Sequence, residues 1–425
     1  MVVSTFPAAA NSTQDSAQVL QNVRLDIRSL QPQVITWRRQ IHQHPELGFA
    51  EILTAQFIHE KLTQWGIPHE TGIAETGIVA LVHGDRPGPV LAIRADMDAL
   101  PIEEKNDLDY KSQHPGKMHA CGHDGHVAIA LGTAHYLANH RHTFSGTVKF
   151  IFQPAEEGPG GAKPMIDAGV LQNPDVDALI GLHLWQQLPL GTLGVREGAL
   201  MAAVETFDCT ILGRGGHGAI PQQTVDSIVI TAQIITALQT IVARNLNPID
   251  SAVVTVGTFH AGTACNVIAD TAQISGTVRY FNSQYADYFD RRIEQIISSI
   301  CTMHGATYQL NYRKLYPPVI NDSTITALIR SCAEDWVSGV QPLESTAPSA
   351  SHPASVTPHC QTMGGEDISY FLNAVPGCYF FVGSSNVEKG LIFPHHHPQF
   401  NIDETALAVG MEILVRAVER FCSIV

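Results

Sequence analysis

Apolar side chains recur at helical spacing from Val19 to about His42 and stop at Pro45, which predicts a first helix. A second helix is predicted over 50–65, closed by Gly66 and Pro68. The pattern then changes character. Residues 90–93, 148–152 and 178–184 are short, unbroken apolar runs, as expected of strands buried on both faces. Between the first two lies an apolar helix, 127–137, opened by Asp124 and Gly125. Strands alternating with helices predict an α/β fold, a mostly parallel sheet flanked by helices.

The middle of the chain alternates differently. A strand at 206–212, an amphipathic helix at 225–244, alternating strands at 251–260 and 272–281, a helix at 285–304 and a strand at 307–312 follow one another. That order, β-α-β-β-α-β, is the ferredoxin-like split motif. The α/β pattern resumes with a helix at 323–337, a strand at 378–382 and a last helix at 404–421. The predicted organisation is a polar tail over 1–18, a larger domain formed by 19–203 and 315–425, and a ferredoxin-like α+β domain inserted as 204–314. Residues 341–358, rich in Ser, Pro and Ala, predict a mobile loop. No repeat of 20–50 residues is visible.

Composition narrows the function classes. The 425 residues carry a formal charge of −15, which leaves no basic footprint for nucleic acid or anionic lipid. No apolar run approaches the ~18 residues of a membrane span. The first 18 residues lack the basic start and apolar core of a signal peptide. Eight cysteines without a Cys-x-x-Cys pair suit a reducing cytosol, so a cytoplasmic protein is expected. Histidine is abundant, with 21 copies, and the chemistry must account for it.

Metal-type ligands concentrate in segments 94–101 (RADMDALP), 121–126 (CGHDGH), 153–158 (QPAEEG) and 181–183 (GLH). Three of these end or follow a predicted parallel strand, and the crevice beyond the carboxyl ends of such strands is where ligands bind. One crevice can therefore collect Asp96, Asp98, Cys121, His123, Glu156, Glu157 and His183. A fifth segment, 395–398 (HHHP), precedes the last helix and can reach the same rim. Burying these groups together is costly without cations. The S/N/O donor mixture suits Zn(II), Mn(II), Co(II) or Ni(II) alike. If Glu156 and Glu157 are extended, their side chains point to opposite sides, one to metal and one to substrate.

These motifs, with WRRQIHQHPELGF from Trp37, GRGGHGAIP from Gly213, NVIAD from Asn266, GTVR ending at Arg279 and GGED from Gly364, resemble the N-acyl-L-amino-acid amidohydrolases. That branch of the two-metal exopeptidase superfamily includes hippurate hydrolase and plant auxin-conjugate hydrolases, and the resemblance runs to Glu404. It implies that Cys121, His123, Glu157, His183 and His396 bind two divalent metal ions, with Cys121 bridging. His396 is the match among three adjacent histidines because it stands two residues before Pro398. Glu156 matches the general base, which takes a proton from metal-activated water and passes it to the departing amine. Asp98 resembles the aspartate that orients a ligand from behind.

The resemblance also gives the inserted domain the role of a lid. His217 resembles an oxyanion-stabilising histidine, and Asn266 and Arg279 match residues that hold the substrate carboxylate. The lid is also the usual dimerisation surface, so a homodimer or higher homo-oligomer is expected. The implied reaction is hydrolysis of a small-molecule N-acyl-L-amino acid to a carboxylate and a free amino acid. An N-carbamoyl or ureido-acid hydrolase, a dipeptidase, and a non-catalytic binding protein on the same fold are the alternatives. The glycine-rich 158–163 is not a phosphate loop, because Lys163 is followed by Pro164. His135, His140 and His142 are expected at the surface or against satisfied neighbours, and Cys209, Cys265, Cys301 and Cys332 in the core.

Overall fold

The computed structural model describes residues 16–339 and 354–423. Most of the predicted tail, 1–15, and residues 341–353 of the predicted mobile loop lie outside the described residues. The chain forms two compact units, one made of 1–198, 320–360 and 370–425, the other of 199–319 and 361–369.

The larger unit is built on an eight-stranded sheet. Its order is His69–Ile73, Gly77–His83, Ser145–Gln153, Arg86–Asp96, Ala178–Pro189, Gly377–Ser385, Thr192–Gly194 and Ser355–Thr357. The four central strands, from Ser145–Gln153 to Gly377–Ser385, run parallel to one another, and the strands on either side of them are antiparallel. Their apolar runs meet helices on both sides, so Ile93, Phe150, Ile180 and Phe380 are buried. Helix His123–Asn139 has 14 of its 17 residues buried, because it packs against Leu25–Gln43, Thr405–Phe421 and the sheet at once. Its lack of a polar face is the mark of a helix with no solvent side.

The smaller unit has a four-stranded antiparallel sheet, ordered Ala252–Ala261, Thr271–Tyr280, Val204–Leu212 and Thr307–Tyr316. Helices Ser227–Leu238 and Phe289–His304 pack on it, burying Ile230, Ile234, Ile293 and Ile297. This is the β-α-β-β-α-β arrangement read from the sequence.

Several local expectations are corrected. The first predicted helix is interrupted where Val23 turns extended, and the helix proper is Leu25–Gln43. There the Arg24 backbone N–H and side chain are drawn to Glu412, 3.0–3.3 Å away. Ser16–Val19 is helical, although 16–18 were expected in the polar tail, and Ser16 Oγ donates to Asp403 at 3.1 Å. The edge strand His69–Ile73 and the short strand Thr192–Gly194 carry too little apolar pattern to be read alone. Ser355–Thr357, inside the predicted mobile loop, pairs parallel with Thr192–Gly194. Cys265, expected in the core, is exposed. Among the described residues no helix is long and apolar enough to cross a membrane.

Candidate metal centre in the larger unit

The strand ends of the large sheet carry the candidate ligands to one place. Asp96 ends its strand and Asp98 follows it; Glu156 and Glu157 form a turn just past Ser145–Gln153; His183 lies within Ala178–Pro189. His123 is the first residue of its helix, four residues earlier than the apolar pattern begins. Gly122 makes that entry possible, since its φ of 100° is open to glycine and strained for other residues.

Two groups of three possible ligands result, Cys121 with His123 and His183, and Cys121 with Glu157 and His396, each within 4.8 Å. They share the Cys121 sulfur. His183 Nε2 lies 3.4 Å from Sγ, while its Nδ1 donates to the Leu184 carbonyl at 2.9 Å, so the Nε2 lone pair faces the cysteine. His123 Nδ1 likewise donates to the Asp98 carbonyl at 2.9 Å, which frees Nε2. That nitrogen is buried without a hydrogen-bond partner, 4.0 Å from a carboxylate oxygen of both Glu156 and Glu157. Glu157 Oε1 also makes no hydrogen bond, although His396 Nε2 stands 3.1 Å away. Of the other two histidines, His395 faces the Leu184 carbonyl and His397 stacks on Phe393.

The charges describe what the cluster lacks. Burial, together with the carboxylates of Glu157 and Glu156, pushes the Cys121 thiol well up. Burial opposes a charged His123, yet Asp96, Asp98 and Glu157 outweigh it and push this imidazole up to about 10. Burial holds His183 far down and neutral. A compact set of acidic groups with two buried, unpartnered ligand atoms suits divalent cations.

The turn carrying Glu156 and Glu157 is not extended as expected. Asp98 Oδ1 accepts the Glu156 N–H at 2.9 Å and Oδ2 the Glu157 N–H at 3.0 Å, which holds both glutamates toward His123. Asp98 thus acts on the site through backbone it positions. Ala155 sits in the left-handed region, its N–H held at 2.9 Å by Glu51. Gly48 of the HPELGF motif lies so close that a Cβ there would stand 2.9 Å from Ala155 Cα.

Behind His123, Asp124 Oδ2 accepts from Arg38 at 2.9 Å and pairs with His42 Nδ1 at 2.8 Å. Arg38 continues to Glu404 and Asn401, and His42 to Glu104. All of Arg38, His42, Asp124 and Glu104 are buried. Sequence reasoning passed over Arg38, His42 and His126, although Arg38 and His42 stand in the WRRQIH motif and His126 lies three residues from His123 on one helix face.

The remaining predicted residues lie in the smaller unit. His217 pairs with Val267 in a short ladder, and the Gly218 N–H donates to the Asn266 carbonyl at 2.8 Å. His217 is exposed, and its Nδ1 accepts from the Ala219 N–H at 3.1 Å, which leaves the proton on Nε2. Arg279 is elsewhere. The ladder holding His217 and Asn266 continues past the Thr271 end of strand Thr271–Tyr280, while Arg279 sits near the Tyr280 end. Eight residues at ~3.3 Å each separate the two ends by about 26 Å. Asn266 and Arg279 of one copy are therefore too far apart to hold one carboxylate together. Arg279 instead neighbours Gly365, whose missing side chain leaves room for the guanidinium: a Cβ there would lie 3.2 Å from Nη1.

Residues 92–420 match peptidase family M20/M25/M40. The N-acyl-L-amino acid amidohydrolase of Geobacillus stearothermophilus is 45% identical over 302 residues, covering 71% of this chain and 81% of that one. The N-acetyl-L-cysteine deacetylase of Bacillus subtilis is 39% identical over 397 residues, 93% of this chain and 90% of that one. Among solved structures, the YXEP protein of Bacillus subtilis, described as a dinuclear metal binding peptidase from the M20 family, superposes with a TM-score of 0.78. It is 34% identical and covers 94% of this chain and all of that one.

Proposed function

The chain belongs to peptidase family M20/M25/M40, and from that premise we propose that it hydrolyses N-acyl-L-amino acids to a carboxylate and a free amino acid. The observation that carries this reading is the pair of three-ligand groups sharing Cys121, with Glu156 beside them. Cys121, His123, Glu157, His183 and His396 hold two divalent ions. When bound, such ions polarise an amide carbonyl and lower the pKa of water from ~15.7 toward ~7.

The chain's own residues then divide the work. Glu156 accepts the proton of the attacking water on a carboxylate oxygen and returns it to the departing nitrogen. His217 donates from Nε2 to the developing oxyanion. Arg279 takes the substrate carboxylate as a bidentate partner. Because the substrate is an anion and the chain carries −15, its recognition rests on these local cations rather than the field of the whole protein.

Within the smaller unit His217 and Asn266 lie about 26 Å along the strand from Arg279, so the three do not act on one substrate molecule from a single copy. In this reading the protein is a homodimer in which each substrate meets Arg279 of one copy and His217 and Asn266 of the other.

Glu156→Gln tests the chemistry. The variant should bind both metals yet hydrolyse acetyl-, benzoyl- and indoleacetyl-amino acids at least ~10²-fold more slowly. Undiminished turnover of all three would refute the role of Glu156.

A further inference from the structure

Three motif residues without a part in the chemistry, Asp96, His126 and His395, meet at one residue of the sheet, Leu184. The Leu184 N–H donates to His126 Nε2 at 2.9 Å, so His126 carries its proton on Nδ1 and donates it to Asp96 Oδ1 at 2.6 Å. The other Asp96 oxygen accepts from Arg94 Nη1 at 2.6 Å, and Arg94 Nε donates to Gln153 at 2.7 Å. In the following peptide, the Leu184 carbonyl accepts from His183 Nδ1 and from His395 Nε2, both at 2.9 Å. His395 is further braced against Trp185, with ring centroids 4.8 Å apart.

Each link fixes the next. Arg94 orients the Asp96 carboxylate, which selects the His126 tautomer, which leaves Nε2 free to hold the Leu184 N–H. This holds the 183–184 peptide in place, and the next peptide along the strand presents the Leu184 carbonyl to His183 and His395. His183 is kept with its Nε2 lone pair facing Cys121, and His395 anchors the loop whose next residue is His396. Two ligands from distant parts of the chain are thus aimed by one carbonyl. Asp96 is saturated by Arg94 and His126, although it lies within ligand distance of His123.

We infer that Asp96, His126 and His395 are positioning residues, a relay that converges on the backbone of Leu184 and aims His183 and His396 at the two metal ions. The inference rests on the two-metal reading above and extends it to residues that touch neither substrate nor metal.

The test measures metal binding as well as rate. The metal-free protein and its variants are titrated with Mn(II) or Co(II) against a competing chelator, and the thiolate-to-cobalt absorption of Cys121 reports ligand geometry. In Asp96→Asn the new amide NH₂ would face His126 Nδ1 and force its proton to Nε2, head-on with the Leu184 N–H. His126→Leu leaves that N–H unpaired. Both should bind the weaker ion about 10- to 100-fold less tightly, with an altered cobalt spectrum. His126→Gln should keep most of the affinity, because an amide places its NH₂ and C=O about as far apart as the two ring nitrogens. His395→Leu, in a loop outside every helix and strand, should weaken metal binding without disturbing the core.

Wild-type affinity and spectrum in Asp96→Asn, His126→Leu and His395→Leu would overturn the relay. Equal loss in His126→Gln and His126→Leu would do the same, since a purely packing role predicts no rescue by the amide. Failure of the unaltered protein to take up two ions would count against the two-metal reading itself, a result distinguishable from either outcome.

Discussion

At the scale of single residues, the site depends on close approaches as much as on donor atoms. Gly48 is the clearest case. A Cβ at this position would press on the backbone of Ala155, which is already left-handed and immediately precedes Glu156. Gly48→Ala should destabilise the fold by about 1–3 kcal/mol, the usual cost of overpacking. It should also lower hydrolysis more than metal binding, since Glu156 moves with Ala155. Thermal unfolding, metal content and turnover measured on one preparation would check this. The residue types were legible in the sequence because the motifs are dense in ligands. What escaped reading was which atom faces which: Asp96 looks like a ligand until Arg94 and His126 are seen to occupy it, and the hold of His395 on the Leu184 carbonyl leaves no mark in the sequence.

At the scale of elements, helices Leu25–Gln43 and His123–Asn139 are joined by buried charge. Arg38 and His42 on the first hold Asp124 in the first turn of the second, where an acidic group also suits the helix dipole. Arg38→Met would leave Asp124 buried with less compensation and should cost about 3–5 kcal/mol in a chemical unfolding experiment. The His42–Glu104 pair adds a pH signature. Burial opposes the charge on both, but Asp124 and Glu104 raise the His42 pKa, and His42 lowers that of Glu104. The contribution of His42 is present below its ordinary 6.5 and is lost as pH rises through the raised value. That of Glu104 is present above its ordinary 4.5 and is lost as pH falls through the lowered value. The stability difference between wild type and Glu104→Gln should therefore peak between 4.5 and 6.5 and shrink on both sides. The helices themselves were readable from periodicity. Their boundaries were less so: His123–Asn139 starts before its apolar run, because its first turn is made of ligands and acid held by tertiary contacts.

At the scale of the whole molecule, two predictions concern assembly and metal. If His217 acts across a dimer, mixing the inactive His217→Ala and Glu156→Gln proteins under subunit exchange should restore about a quarter of wild-type activity, since half the dimers regain one intact site. Arg279→Met mixed with Glu156→Gln should restore none. Recovery in the second mixture and not the first would reverse the assignment. Metal removal should lower the melting temperature reversibly, because ligands that bind only the folded chain stabilise it by about 2.7 kcal/mol at a hundredfold excess over Kd. A melting temperature indifferent to chelator would contradict a metal centre that ties four segments of chain together.

The α/β and ferredoxin-like patterns and the ligand-rich segments were set by the sequence alone, because buried strands and amphipathic helices leave periodic traces and metal ligands need particular side chains. Only the tertiary structure decided the direction of each donor atom, the turn that holds both glutamates on one side, and the separation of Asn266 from Arg279. These depend on backbone groups such as the Leu184 and Asp98 carbonyls, which every residue possesses and no sequence pattern marks.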